Sequence, residues 1–120
     1  MARLLFHCTH GRDDPERAIV PFIAANVAVA SGQEATVVLT VEGAWLAKQG
    51  YAETVAADGF PKLGELLPAF VEAGGGLWAC SACTTPRGIT EADLVPGATI
   101  VGAAAIVEAV VQGATPVALG

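Results

Sequence analysis

Two cysteines separated by two residues are the part of this sequence best suited to chemistry. Cys80 and Cys83 form a C-x-x-C pair, and a short apolar run over residues 77–80 ends at the first of them. A cysteine at the point where a strand gives way to a helical turn faces unpaired backbone N–H groups and the positive end of the helix dipole, which favour the thiolate. The spacing also lets the two sulfurs approach across one turn, so one thiol can attack and the other can resolve a disulfide or persulfide.

Each residue of this motif has a simpler alternative interpretation. Cysteine is among the most buried residue types, so Cys80 also fits plain core packing. Arg87 is the only Arg or Lys near the pair, and it either stabilises a thiolate or caps the carboxyl end of a short helix that stops at Gly88.

Length and composition predict one domain over residues 1–120 with a substantial core. Hydrophobic residues make up 53% of the chain and charged residues 15%, but the longest uncharged run, residues 18–33, is shorter than a membrane-spanning helix and contains Pro21. The start of the sequence lacks the apolar region of a signal peptide. We therefore expect no membrane segment, a cytoplasmic location and reduced thiols.

The charge balance limits the partners. Six basic and twelve acidic residues give a net charge of -6, and no basic cluster is large enough to follow a phosphate backbone, so no nucleic acid partner is predicted. In a small domain with such an apolar composition, some helix faces are expected to be covered by other subunits. The composition therefore predicts a homo-oligomer.

Apolar runs and helix signals alternate along the chain. Asp14 followed by Pro15 is typical of a helix start, and Pro116 in the last run predicts an edge strand. Strands are predicted over residues 3–8, 35–40, 77–80, 98–102 and 115–119, and helices over residues 15–31, 62–73 and 103–112. A short helix is predicted at residues 43–49 and one helical turn at residues 90–93. The last long helix is predicted to have an apolar face formed by Ile106, Val107, Val110 and Val111. This alternation predicts a three-layer α/β/α sandwich with a mostly parallel five-stranded sheet.

Ligands of such sheets bind at the carboxyl ends of the strands, where Cys8 and Cys80 both fall. Cys8 is more simply a core thiol, and His10 more simply part of a solvated loop, than pocket residues. Trp45 and Tyr51 lie in a segment suited to form a pocket wall, although packing is the simpler explanation of each aromatic. The glycine run at residues 74–76 follows a helix instead of opening one, so it is not a phosphate-binding loop and no cofactor is predicted.

The stretch Cys80-Ser-Ala-Cys-Thr-Thr-Pro-Arg-Gly-Ile89 resembles the DsrE/DsrF-like family, as does the order of five strands along the whole chain. The family pattern is a cysteine closing the third strand, a turn of small residues, and then Arg-Gly with an apolar residue. The resemblance implies a DsrE-like fold, assembly as a trimer or hexamer, and transfer of sulfur as a persulfide between donor and acceptor proteins. Cys80 takes the place of the sulfur-carrying cysteine, with Arg87 and Gly88 in support.

Two other functions remain open from the sequence. His7, Cys8, His10, Cys80 and Cys83 supply enough nitrogen and sulfur ligands for a metal site if the ends of the first and third strands are close. The domain would otherwise serve as an oligomeric module that binds a small ligand without turnover.

Overall fold

Five parallel strands organise the computed structural model, which describes residues 1–119. The strands are β1 (Arg3–Cys8), β2 (Glu34–Leu39), β3 (Gly76–Cys80), β4 (Ala98–Val101) and β5 (Thr115–Val117). Their order in the sheet is β4-β3-β2-β1-β5, which places β2 at the centre. The predicted α/β architecture is confirmed, and the predicted edge position of the strand containing Pro116 is also found, because β5 pairs with β1 alone among the described strands.

Four α-helices connect the strands: α1 (Pro15–Ala30), α2 (Leu63–Glu72), α3 (Ser81–Thr84) and α4 (Ala103–Val111). The helix start predicted at Asp14 is confirmed, since its carboxylate accepts the N–H of Arg17 at 3.3 Å and Pro15 is the first helical residue. The short helix predicted at residues 43–49 is a 3₁₀ helix, Val41–Ala47, which we call the 41–47 segment. Shorter 3₁₀ turns follow at Ala52–Thr54, Thr85–Arg87 and Glu91–Asp93.

One face of the sheet is covered by α1 and α2. Phe6, Val37 and Leu77 of three adjacent strands point into this layer and pack with both helices. Phe22 of α1 and Phe70 of α2 meet edge to face with ring centroids 6.1 Å apart, and both are fully buried. This layer is the main core of the protein, and it holds the three central strands in place from one side.

The opposite face has a much thinner cover. Among the helices of residues 1–119, α4 covers this face, with Ala109 and the half-buried Ile106 packing on Leu5 and Val38. Of the residues on the predicted apolar face of this helix, Ile106 packs on the sheet, whereas Val107, Val110 and Val111 are 62%, 40% and 74% exposed. The helix is apolar nearly all round, so its sequence pattern does not indicate which side meets the sheet.

Within residues 1–119, no helix combines the length and the apolar character needed to cross a membrane.

Candidate functional site

The C-x-x-C pair lies at the carboxyl edge of the sheet. Leu39 of β2 pairs with Ala79 of β3, so Cys80 comes one residue beyond that pair, next to the end of the central strand. Cys80 has extended backbone angles and immediately precedes α3, as predicted, and the residue is 6% exposed. All three cysteines of the chain are free thiols.

Cys83 lies one helical turn later and is half-buried. Its sulfur accepts a hydrogen bond from the backbone N–H of Val41, with an N to Sγ distance of 3.1 Å. Val41 begins the 41–47 segment directly after the central strand. The sulfur of Cys83 is therefore held by a backbone donor from a segment 42 residues away in the chain.

Val41 has a strained backbone. Its φ is +54°, and it is the one non-glycine residue with a positive φ in the described chain. A β-branched residue in this region is a conformational outlier that costs on the order of 1–3 kcal/mol and persists only where the surrounding structure enforces it. Such strain concentrates at functional sites. Here the strained residue is the one whose N–H meets a candidate reactive sulfur.

Arg87 ties the cysteine turn to the 41–47 segment. Its Nη1 donates to the carbonyl oxygen of Cys83 at 3.1 Å, and its Nη2 donates to Oε1 of Glu42 at 3.2 Å. Gly88 follows in the left-handed conformation, with φ of +69°. Of the two interpretations of Arg87, the helix-capping one matches these contacts, and the guanidinium charge is paired with Glu42.

Cys8 lies in the core and not in a pocket, which corrects the weaker of its two interpretations. It is 1% exposed, and its thiol points at the carbonyl oxygens of His10 and Ala18 at 3.5 and 3.8 Å. Burial raises the pKa of Cys8 to about 12, and the hydrogen bond to His10 only partly opposes this. Cys8 is thus a neutral thiol at physiological pH and a poor nucleophile.

His10 is held within its own loop. Its Nδ1 contacts Oδ2 of Asp13 at 2.8 Å, and Oδ1 of Asp13 accepts the N–H of Gly11 at 2.7 Å. Partial burial of the Asp13 carboxylate raises its pKa, but these hydrogen bonds outweigh that effect, and the pKa of Asp13 is lowered overall. The solvated-loop interpretation of His10 therefore fits its contacts better than the pocket interpretation.

Trp45 and Tyr51 form a stacked pair, with ring centroids 5.9 Å apart and planes inclined by 17°. They line a cavity of about 200 Å³ together with Arg12 and Lys48. Tyr51 is thus buried while both aromatic residues also line this cavity, and a ligand-binding role for them stays a prediction.

The five potential metal ligands are not brought together. Phe6 and Cys8 point into the main core, so His7 lies on the opposite face of β1, where it is exposed. Strand β2 separates β1 from β3, which carries Cys80. Among residues 1–119, no three His, Cys, Asp or Glu side chains are grouped as metal ligands.

A second cavity, of about 630 Å³, has no cysteine among its lining residues. Its lining residues belong mainly to α2 and to the loops that precede the Ala52–Thr54 turn and β4, and include Leu67, Val71 and Val95. This cavity is large, but none of its lining residues carries a thiol that could take part in sulfur chemistry.

Sequence reasoning missed Val41 and Glu42. Nothing in the residue type of Val41 indicates a positive φ, since valine disfavours it. Glu42 is an isolated acidic residue whose partner is 45 positions away, so its pairing with Arg87 depends on the folded arrangement alone.

The fold and the site together define a small three-layer α/β domain with free thiols near the carboxyl edge of its parallel sheet. A sequence model of the DsrE/DsrF-like family matches residues 2–117, and the chain belongs to this family.

Two curated relatives share part of the sequence. An uncharacterized protein of Methanocaldococcus jannaschii is 35% identical over 95 residues, which cover 79% of this chain and 34% of that protein. An uncharacterized protein of Methanopyrus kandleri is 33% identical over 82 residues, covering 68% of this chain and 64% of that protein. The chain therefore spans less than two thirds of each relative.

Two solved structures share the fold. A protein of unknown function from Methanobacterium thermoautotrophicum superposes with a TM-score of 0.79 at 19% identity, covering 99% of this chain and all of the other. The ychN protein of Escherichia coli superposes with a TM-score of 0.81 at 14% identity, with the same coverage of this chain. At these identities the likeness establishes the fold alone.

Replacing Val41 by asparagine should stabilise the protein. Asparagine tolerates a positive φ and keeps the backbone N–H, so we expect V41N to raise the free energy of unfolding by about 1 kcal/mol in urea denaturation. The matched control is V27N on α1, where valine is similarly exposed but helical, and there we expect a small loss. A decrease for V41N equal to that of V27N would show that the backbone of Val41 is not strained.

Alkylation should separate the three thiols. At about pH 8 we expect iodoacetamide to label Cys83 of the native protein first and to leave Cys8 unlabelled, because its thiol is buried and protonated. At about pH 10 Cys8 labelling should still be slow, since most of its thiol stays protonated below its pKa of about 12 and the sulfur stays buried. Peptide mass spectrometry follows each site, and urea-unfolded protein is the control. Equal labelling of Cys8 and Cys83 in the native protein would contradict this assignment.

Proposed function

We propose that this protein accepts sulfur as a persulfide on Cys80 and that Cys83 resolves the persulfide. The observation that carries the proposal is the position of the Cys83 sulfur, one turn after Cys80 and fixed by the N–H of the strained Val41. Membership of the DsrE/DsrF-like family, which fits a sulfur-relay fold, supports it. The proposal requires reduced thiols, as in a cytoplasm, and donor and acceptor proteins.

The first step is an exchange at the outer sulfur of a donor persulfide. The thiolate of Cys80 attacks that sulfur, a new S–S bond forms on Cys80, and the donor leaves as its thiolate. The sulfane sulfur moves without any net oxidation, so the step needs no other oxidant. Cys80 is 6% exposed, which limits this exchange to a donor that reaches the carboxyl edge of the sheet.

The second step uses the neighbouring thiol. The thiolate of Cys83 attacks the inner sulfur on Cys80, hydrosulfide leaves, and a Cys80–Cys83 disulfide remains. The hydrogen bond from Val41 suits this role, because a backbone donor binds a charged sulfur more strongly than a neutral one. An acceptor that takes the outer sulfur before this attack would return both cysteines to thiols.

Intact-mass spectrometry after incubation with a low-molecular-weight persulfide tests this function. We expect the wild-type protein to gain one sulfur and then to convert to the disulfide form. The Cys80→Ser variant should gain none, and the Cys83→Ser variant should hold its sulfur longer because it lacks the resolving thiol.

The Cys8→Ser variant is the matched control and should behave like the wild type, because Cys8 is buried. Sulfur retained by Cys80→Ser would move the carrier role to Cys83. Absence of added sulfur from every variant with confirmed free thiols would overturn the proposal.

We also propose that the protein works as a homo-oligomer, a trimer or a hexamer. The support lies on α4, where Val107, Val110 and Val111 are exposed beside a thinly covered sheet face. Contiguous apolar surface of this kind on a small domain typically marks an interface with another chain. A second copy of this chain would cover it.

Light scattering coupled to size exclusion checks this assembly. We expect a mass three or six times the 12.1 kDa of one chain, and a loss of the assembly when Val107 and Val111 are both replaced by lysine. The control is Val27→Lys, since Val27 is 61% exposed, as Val107 is at 62%, but lies in the opposite layer. A monomeric wild type would disprove the assembly, and indifference to the α4 substitutions would remove this interface.

A further inference from the structure

Two cations without carboxylate partners line the same cavity. The chain has six basic residues and a net charge of -6, so acidic partners are plentiful. Ion pairs occupy half of the basic residues, namely Arg3, Arg17 and Arg87. Within residues 1–119, Arg12 and Lys48 form no ion pair, and both contribute to the cavity of about 200 Å³.

The stacked aromatics hold these cations in place. The guanidinium carbon of Arg12 lies 4.5 Å from the ring centroid of Tyr51, and Nζ of Lys48 lies 5.7 Å from that of Trp45. The backbone N–H of Arg12 also donates to the Tyr51 hydroxyl at 2.9 Å. Cation–π contacts orient a charge without using its N–H donors, so the donors of both side chains remain available to a ligand.

The acidic residues around the cavity are engaged elsewhere. Asp13 is bound by His10 and the N–H of Gly11. Asp14 pairs with Arg17 at 2.6 Å. Asp93 attracts Lys48 electrostatically, but its carboxylate accepts the N–H and the hydroxyl of Thr90 at 2.8 and 3.0 Å. Two like charges facing one cavity are favoured when an anion binds between them.

From these observations we infer that Arg12 and Lys48 bind a small doubly charged oxyanion of the sulfate and thiosulfate class. The cavity is smaller than the roughly 300–1,000 Å³ usual for larger ligands, which restricts the occupant to a compact group. The forked donors of a guanidinium match two oxygens of such an anion, and the two cations match its charge.

A relay of contacts connects the cavity to the thiol turn. At Gly11 a Cβ atom would contact both the Tyr51 hydroxyl and the backbone carbonyl of Glu42, so these groups lie side by side. The side chain of Glu42 in turn binds Arg87, which holds the carbonyl of Cys83. Thiosulfate, a dianion that carries a transferable sulfur, is therefore the ligand of this class that links the site to the proposed function, and this link alone rests on that function.

Equilibrium dialysis with radiolabelled sulfate at low ionic strength tests the site without thiol chemistry. We expect one saturable sulfate per chain with a Kd at or below about 10 mM. The R12Q and K48Q variants should each bind at least about tenfold more weakly, because each loses one of the two charges. The K62Q variant is the matched control, since Lys62 is an exposed cation that lines a different cavity, and it should bind as the wild type does.

Parallel dialysis of a Cys80→Ser, Cys83→Ser double variant separates this inference from the proposed function. We expect unchanged sulfate binding there, and competition by unlabelled thiosulfate but only weak competition by formate, which has a single charge. Three results would each overturn the site: no saturable binding in the wild type, an equal loss in R12Q, K48Q and K62Q, or equal competition by formate.

Discussion

The register of the three central strands is the constraint on which the rest of the structure depends. Cys8 pairs with Leu39 on one side of β2, and Leu39 pairs with Ala79 on the other, so the three strands end at the same level. Because side chains alternate between the two faces, a slip by one residue would turn Cys80 to the other face and move it away from the end of β2. The buried, apolar packing of α1 and α2 fixes this register, and the chemistry at the edge depends on that packing.

Burial of the 41–47 segment explains why the strained backbone of Val41 persists. Ala44, Leu46 and Ala47 of this segment are fully buried. Gly43 lies so close to the end of β1 that a Cβ atom there would collide with the carbonyl of Cys8. Burying one leucine side chain contributes about 1.5–3 kcal/mol, which is comparable to the cost of one strained residue. The segment thus stays seated on the sheet, and its first N–H is fixed against Cys83.

The sequence predicts most of the fold because its signals are local. The Asp14-Pro15 start, the glycine stops and the apolar runs each act within a few residues, and the family pattern at Cys80 extends this to the cysteine turn. Such local signals do not predict which segments that are distant in the sequence come into contact. The exposed valines of α4 illustrate this, since a helix that is apolar on every side has no face that its sequence can assign to the sheet. The Arg87 bridge to Glu42 depends likewise on two loops that only the sheet brings together.

Charge is divided between the two parts of the carboxyl edge. At the thiol turn, Arg87 is neutralised by Glu42, so it fixes geometry and adds little net field. Among residues 1–119, the Arg12 and Lys48 side chains that line the cavity of about 200 Å³ form no ion pair. The chain carries a net charge of -6, which would repel an anion at long range, but at physiological salt this repulsion is screened beyond about 8 Å. Within about 8 Å, the nearest charges determine whether an anion is attracted. The charged residues that line this cavity, Arg12 and Lys48, are both cations. The proposed anion would therefore be attracted to this cavity by cations that take no part in holding the thiols.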